Sequence, residues 1–154
     1  MPPATFFYEQ NEAVEQLAAG EDAIFESRTP FLVFAASVGY NRDHWVENHD
    51  EDGEMRWNYI GQNKRLAMIT AALAYAHTED PDAISDPEMQ INVLTSFAAG
   101  GARILKREVV DEPGRNLDNL ITFIQDHREA KATEERVGVL EQIENEVSSF
   151  RSSE

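Results

Sequence analysis

The residues of this chain that could do chemistry are its histidines, its carboxylates and a few cations. The sequence contains no cysteine, which excludes thiolate chemistry. His44 and His49 lie in the acidic segment 43–54, where imidazole nitrogens and carboxylate oxygens could hold a divalent ion. No HExxH spacing or calcium-loop pattern accompanies them, so the sequence favours a solvated acidic loop and we predict no metal site. His77 and His127 are predicted near helix ends, in structural or exposed positions.

Motifs for covalent or phosphate chemistry are absent from the sequence. There is no GxSxG, no SxxK and no glycine-rich phosphate loop. The segment 98–103, AAGGAR, shares two glycines with a phosphate loop but lacks its lysine and hydroxyl ending. Pairs of carboxylates occur throughout so acidic a chain and indicate no dyad. We therefore predict no catalytic residue, no cofactor and no enzyme activity.

Two windows of the chain carry basic residues and no acidic residue. They are 56–78 and 91–107, both predicted helical, in a chain with 29 acidic and 13 basic residues. Arg103 and Arg107 share one helix face, with Lys106 beside them. The sequence thus predicts a basic patch that binds phosphate or an acidic partner surface. Its six residues are Arg56, Lys64, Arg65, Arg103, Lys106 and Arg107.

Other interpretations of these residues stay open. Core helices contain few charges, so their basic side chains could reach the helix edges or pair with acids elsewhere in the chain. Trp57 and Tyr59, near Arg56, could stack on a nucleobase or cover the core, and packing is the commoner use of such rings. If the patch is real, it would bind the DNA backbone with little reading of sequence.

The elements that position these residues are predicted to be helices. Residues 29–39, TPFLVFAASVG, are apolar all round and predict a short buried helix that starts at Thr29 and Pro30 and ends at Gly39.

Two longer helices are predicted over the alanine-rich segment 62–78 and over 87–107. Gly100 and Gly101 inside the second either allow close helix packing or break the helix. Helical spacing continues after residue 116, with Thr133 as the cap of a last helix. The fold class is therefore all-α, a compact bundle of about five to six helices with one short extended segment near 55–60. We predict a single domain over 1–150 and a frayed tail over 151–154.

The composition of the chain limits where the protein is expected to be located and what it is expected to bind. Hydrophobic residues make up 42% of the chain, and no apolar run approaches the roughly 20 residues that cross a bilayer. The N-terminal MPPATFFYEQ lacks a signal-peptide pattern, so we expect a cytoplasmic protein without a membrane partner. The net charge of -16 and the shortage of lysine resemble proteins of salt-loving archaea. In ordinary salt this charge would argue against binding DNA.

One small protein family resembles this chain in four segments, in this order: IFESRTPFLVFAASVGYNR (24–42), MRWNYIG (55–61), MITAALAYAHTEDPDAISD (68–86) and INVLTSFAAGGARILKRE (91–108). It is the Dnd system-associated protein family numbered four, encoded beside DNA phosphorothioation genes, and the resemblance spans residues 14–125. The acidic insert at 43–54 and the tail from 128 onward depart from it. The resemblance implies an accessory component of a phosphorothioation-linked restriction or anti-phage defence system and supplies no catalytic residues.

Three functional hypotheses follow. The leading one is a non-catalytic accessory protein that binds another subunit of the defence system, the DNA backbone, or both, and a homo-oligomer stays open. The alternative is a regulator or antitoxin-like interaction module that binds a partner through apolar helix faces and does not bind DNA. A metal-dependent nuclease rests only on the loop from His44 to Glu54.

Overall fold

The computed structural model describes residues 3–152, without the side chains of 131–135 and 152. The elements are, in chain order, β1 (Thr5–Tyr8), α1 (Glu12–Val14), α2 (Arg28–Asn41), β2 (Gly53–Arg56), α3 (Asn58–Gly61), α4 (Lys64–Thr78), α5 (Pro87–Leu105) and α6 (Asn116–Ser152). Short turns of other helix types continue or connect them: π-helical Glu15–Ala19 and Lys106–Val110, and 3-10 helical Pro81–Ile84. The prediction of a helical fold is confirmed. None of the described helices is both long enough and apolar enough to cross a membrane.

The predicted extended segment near 55–60 corresponds to β2, which overlaps it only at Met55 and Arg56 and pairs antiparallel with β1. The register places Thr5 opposite Arg56 and Tyr8 opposite Gly53. The Tyr8 ring lies so close over Gly53 that a Cβ there would meet ring carbons at 2.6 Å. The residues directly after β2 form the short helix α3 instead of extended chain.

The packing of α2 on α5 is the centre of the hydrophobic core. α2 is buried on most of its circumference because its residues are apolar on every side. Glycines from both helices lie where the backbones come closest: a Cβ on Gly39 would overlap the α5 backbone, and a Cβ on Gly101 would overlap the Ala35 carbonyl oxygen. Gly100 leaves similar room for the His44 carbonyl. α5 runs through both of its glycines unbroken, so they serve close packing.

α2 extends beyond both predicted ends. It begins at Arg28, with Ser27 in the N-cap position, and continues to Asn41. The prediction that Gly39 ends this helix is wrong. The missing side chain at this position is required by the contact with α5, and Gly39 lies within the helix.

The described chain forms two compact units, divided after Asn116. The second unit is essentially α6, one continuous helix that reaches Ser152, and Thr133, predicted to cap a separate helix, lies within it. The single domain over 1–150 stays a prediction. Of the predicted frayed tail at 151–154, the part beyond α6 lies outside the described residues.

Substitution of Gly101 by alanine tests the close approach of the helices. We expect Gly101→Ala to lower the free energy of unfolding by about 1–3 kcal/mol, because the new methyl group must push α5 away from α2. Urea unfolding followed by circular dichroism would measure the change. Gly61→Ala is the matched control, since nothing lies within 4 Å of a Cβ there; we expect it to be neutral or slightly stabilising. Equal unfolding midpoints for the two variants would contradict the packing described.

Candidate functional site

Arg103 is held by a carboxylate from the beginning of the chain. Its Nε donates a hydrogen bond to Oε2 of Glu9 at 2.9 Å, and its Nη2 donates to Oε1 at 2.6 Å. The Glu9 side chain is 6% exposed and that of Arg103 is 48% exposed. The backbone amide of Asp50 donates to the same carboxylate at 3.2 Å. This two-pronged pair connects α5 to the end of β1 and to the loop before β2.

Two opposed effects set the pKa of Glu9. Burial disfavours the charged carboxylate and would raise the pKa, but the hydrogen bonds from Arg103 and from the Asp50 amide outweigh it. The pKa therefore lies below its ordinary value of 4.5. Glu9 is ionised at neutral pH and neutralises the Arg103 charge.

Lys106 and Arg107 also lie beside carboxylates. Lys106 Nζ is 3.0 Å from Oδ2 of Asp111 and 3.7 Å from Oε2 of Glu12. The hydrogen bond with Asp111 raises the pKa of Lys106. Arg107 Nη2 is 3.4 Å from Oε2 of Glu108. The cations of the second window therefore pair with acids, as one of the interpretations of the sequence expected.

The first window contributes cations to a groove. Two adjoining pockets, of about 590 and 900 Å³, share Ser27, Thr29 and Tyr59 as lining residues. Arginines project from separate elements around them. We name this surface the arginine groove and define it by its lining residues Arg28, Arg56, Arg65, Tyr59, Ser27 and Thr29.

Each arginine of the groove is positioned by the end of an element. Arg28 is the first residue of α2, and Arg56 is the last residue of β2. Arg65 lies in the first turn of α4, where the side chain of Asn63 accepts hydrogen bonds from backbone amides and fixes the helix start. All three arginines are exposed, and none forms a salt bridge with any described residue. Lys64 is also exposed, but it does not line the groove.

The positive charge of the groove comes from several separate groups in its lining. α2 begins here, so its free N-terminal amides add partial positive charge to the three guanidinium groups. Glu26 and Glu54 also line the pockets and oppose this field. Each of the three guanidinium groups can donate two parallel hydrogen bonds to an anionic group such as a phosphate.

The two aromatic rings near Arg56 have different environments. Trp57 is half-buried and packs edge to face against Phe6, with ring centroids 6.2 Å apart. Tyr59 is 54% exposed and borders both pockets of the groove. Packing is therefore the role of Trp57, and Tyr59 is the ring that is free to stack on a base.

Arg28 is the residue of the groove that sequence reasoning missed. It lies outside both acid-free windows, two residues after Glu26. Burial raises the pKa of Tyr8, and the nearby Arg28 charge offsets part of that rise, so the two side chains are neighbours. A signal was present in the sequence: a cation at the start of a helix is disfavoured by the helix dipole. Arg28 lies directly before the predicted helix start at Thr29 and Pro30. The sequence therefore indicates that this cation has a role other than stabilising the helix.

The histidines have structural neighbours. Within the described part of the chain, no group of three or more histidine and carboxylate side chains could hold a metal ion. His49 Nδ1 lies 2.8 Å from the carbonyl oxygen of Asp50. His77 stacks on Trp45 with centroids 4.5 Å apart and meets Phe97 edge-on at 5.0 Å. His77 thus connects α4 with the acidic loop and α5.

The fold is that of a small, mostly helical protein, and three arginines line an exposed groove on it. The family model described as DNA sulphur modification system-associated protein 4 matches residues 7–143, and the chain belongs to this family. It is therefore associated with a DNA sulphur modification system, as the resemblance of its segments implied. No curated protein and no solved structure matches the chain.

The Glu9–Arg103 pair predicts a measurable stability effect. We expect Arg103→Ala to lower the free energy of unfolding at neutral pH by about 1.5–3 kcal/mol, because the buried Glu9 carboxylate loses its charged donor. Arg107→Ala is the control, with an expected loss below about 0.5 kcal/mol.

The pH dependence of unfolding provides a second measure of the same pair. Because folding lowers the pKa of Glu9, its contribution is present above the unfolded value of 4.5 and is lost as the pH falls through the folded value. In Arg103→Ala, burial is opposed by fewer hydrogen bonds, so the folded pKa of Glu9 lies closer to the unfolded value, and this loss should be smaller and should be complete at a higher pH. Parallel stability curves for the variant and the parent would contradict the pairing.

Proposed function

We propose that this protein is a non-catalytic accessory component of a DNA phosphorothioation-linked restriction or anti-phage defence system. It acts by binding the DNA backbone, a partner subunit, or both. The observation that carries the proposal is the arginine groove, where three exposed arginines and an exposed tyrosine line two adjoining pockets.

The chemistry of the groove supports backbone binding. A guanidinium group can donate two parallel hydrogen bonds to one phosphate, and three such groups can engage phosphates spaced along a strand. The first-turn amides of α2 add donors that suit anionic oxygens. Because the cations of the groove suit phosphate oxygens, binding would depend mainly on the backbone.

The six residues predicted from the sequence have unequal roles in this proposal. Arg56 and Arg65 bind phosphate together with Arg28, and Lys64 adds charge beside them. Arg103 positions β1 through Glu9, so its part is structural. Lys106 and Arg107 are also available to an acidic partner surface, but only in competition with the carboxylates that they already meet. Those six are Arg56, Lys64, Arg65, Arg103, Lys106 and Arg107.

The acidic composition is consistent with a protein that works in high salt. At a net charge of -16, repulsion within the chain is strong in dilute buffer and falls as salt shortens the screening length. Binding to DNA should therefore be measured over a range of salt concentrations. Absence of catalysis is part of the proposal and is checked by incubating DNA with the protein and Mg²⁺, Mn²⁺ or Zn²⁺, where no cleavage is expected.

Neutralising the groove arginines tests phosphate binding. We expect Arg28→Gln/Arg56→Gln/Arg65→Gln to weaken binding of fluorescent oligonucleotides and to reduce the slope of log affinity against log salt by roughly 0.7–0.9 per lost phosphate contact. Arg115→Gln/Arg128→Gln/Arg151→Gln removes the same charge from residues that do not line the groove and is the matched control. An equal loss in both variants would assign the effect to net charge. Absence of DNA binding by the parent at every salt concentration would favour the regulator or antitoxin-like alternative.

Replacing Tyr59 tests base stacking separately from charge. We expect Tyr59→Ala to weaken single-stranded DNA binding by about 1–3 kcal/mol and to leave duplex binding nearly unchanged, because only an unpaired base can lie flat on the ring. Tyr59→Phe should retain the parent affinity. The same titration with single-stranded and duplex oligonucleotides measures both values, and equal losses for the two forms of DNA would contradict stacking.

A further inference from the structure

The last part of α6 carries hydrophobic side chains that are exposed. Every described residue from Arg136 to Arg151 is exposed, so the helix has no buried side along this stretch. Six hydrophobic side chains occur in it, with exposed fractions from 47% to 73%: Val137, Val139, Leu140, Ile143, Val147 and Phe150. Exposed apolar residues grouped in this way mark an interaction site more often than isolated ones do.

These side chains share one side of the helix, which we name the distal α6 face. With 3.6 residues per turn, the six positions fall within an arc of roughly 160°. Gln142 and Asn145 lie on the opposite side. A two-helix coiled coil uses a narrower seam, made of two positions per heptad. The width of the apolar arc therefore suits a groove that encloses the helix on several sides.

The charged side chains in the middle of this stretch of α6 are all acidic. Glu141 and Glu146 lie at opposite borders of the apolar arc, and Glu144 lies within it. A groove that receives this face must place cations beside these carboxylates, since leaving them against apolar or acidic groups would be unfavourable. The complementary surface is thus apolar in the middle and carries lysine or arginine at its rim.

A second copy of the chain meets this requirement poorly. In an antiparallel pair that brings Leu140 opposite Val147, the two Glu141 side chains lie along one border of the contact and the two Glu146 side chains along the other, and arginines at the two ends face each other. Each chain also carries a net charge of -16, which opposes self-association and binding to anionic lipid. Charge complementarity therefore favours a different, basic partner.

We propose that the distal α6 face docks into an apolar groove with a basic rim on another protein of the DNA sulphur modification system. The helix would enter the groove as a preformed amphipathic element, anchored by residues spaced three and four apart. The central leucine, isoleucine and valine would be enclosed, and the bordering glutamates would pair with rim cations. This surface is independent of DNA binding at the arginine groove.

The experiment uses the full chain, co-expressed with each protein of the DNA sulphur modification system in turn, followed by affinity purification and calorimetry of any complex. We expect one of them to bind, and Leu140→Glu/Val147→Glu to weaken that binding at least about tenfold, because two central anchors become charged. Gln142→Glu/Asn145→Glu is the matched control, with the same added charge on the opposite side, and should bind as the parent does. Far-UV circular dichroism checks that both variants keep their helix content.

Charge reversal tests the basic rim. Glu141→Lys/Glu146→Lys should weaken the same complex, and the loss should shrink as salt is raised.

Several results would overturn the proposal. These are retention of binding by Leu140→Glu/Val147→Glu, loss of binding by the control variant, and failure of every protein of the system to bind. A dimer of the chain alone that Leu140→Glu/Val147→Glu abolishes, measured by light scattering, would assign the face to self-association, and capture by anionic vesicles would assign it to lipid. DNA binding by the Leu140→Glu/Val147→Glu variant should equal that of the parent, so failure here and failure of the arginine groove are distinguishable.

Discussion

The close approach of α2 and α5 is the constraint on which the first unit depends. Glycines in both helices let the backbones touch, so neither helix can slide or tilt without backbone overlap. α5 carries Arg103, whose pair with Glu9 holds the end of β1 against it. β1 pairs with β2, and the last residue of β2 is Arg56. α2 itself begins with Arg28. Two arginines of the groove are therefore positioned by one helix contact through different routes, one along a helix and the other through an ion pair and a sheet.

The cations of this chain differ in what an approaching phosphate would have to displace. At Arg28, Arg56 and Arg65 a phosphate would not have to displace a carboxylate, because none in the described chain forms a salt bridge with them. At Arg103 it would displace a buried carboxylate and leave that charge without its donor, which is costly. Arg56, Arg65 and Arg103 look alike in the sequence, as basic residues in acid-free segments. The difference lies in whether folding brings a distant acid to them, so the same residue type has a structural role in one place and is available for binding in the other.

Sequence reasoning was accurate where the signal is local and failed where a distant contact decides. α2, α4 and α5 were predicted because hydrophobic composition, alanine content and capping residues act within a few turns of helix. The role of Gly39 was predicted wrongly, because the sequence alone does not distinguish a glycine that ends a helix from a glycine that lets another backbone come close. The Glu9–Arg103 pair joins residues 94 positions apart, and no local sequence pattern near either residue predicts its partner. β1, the partner of the predicted extended segment, was missed for the same reason. Arg28 was missed because counting charges in windows excluded it.

The overall charge helps to explain why a protein with such a groove would act as an accessory. At long range, the net charge of -16 repels DNA. At physiological salt, this repulsion is largely screened at separations beyond about 8–10 Å. In the proposed function, contact at the arginine groove would be favourable only after that approach, and Glu26 and Glu54 in its lining would penalise a strand laid across them. Such a surface gives selective contact and slow unassisted association. A partner that is basic at its rim could hold the chain near DNA and remove the need for unassisted approach, because binding within one complex raises the effective concentration of the groove at the backbone. Under the two proposals, a protein partner bound at the distal α6 face would supply proximity, and the groove would supply the backbone contact.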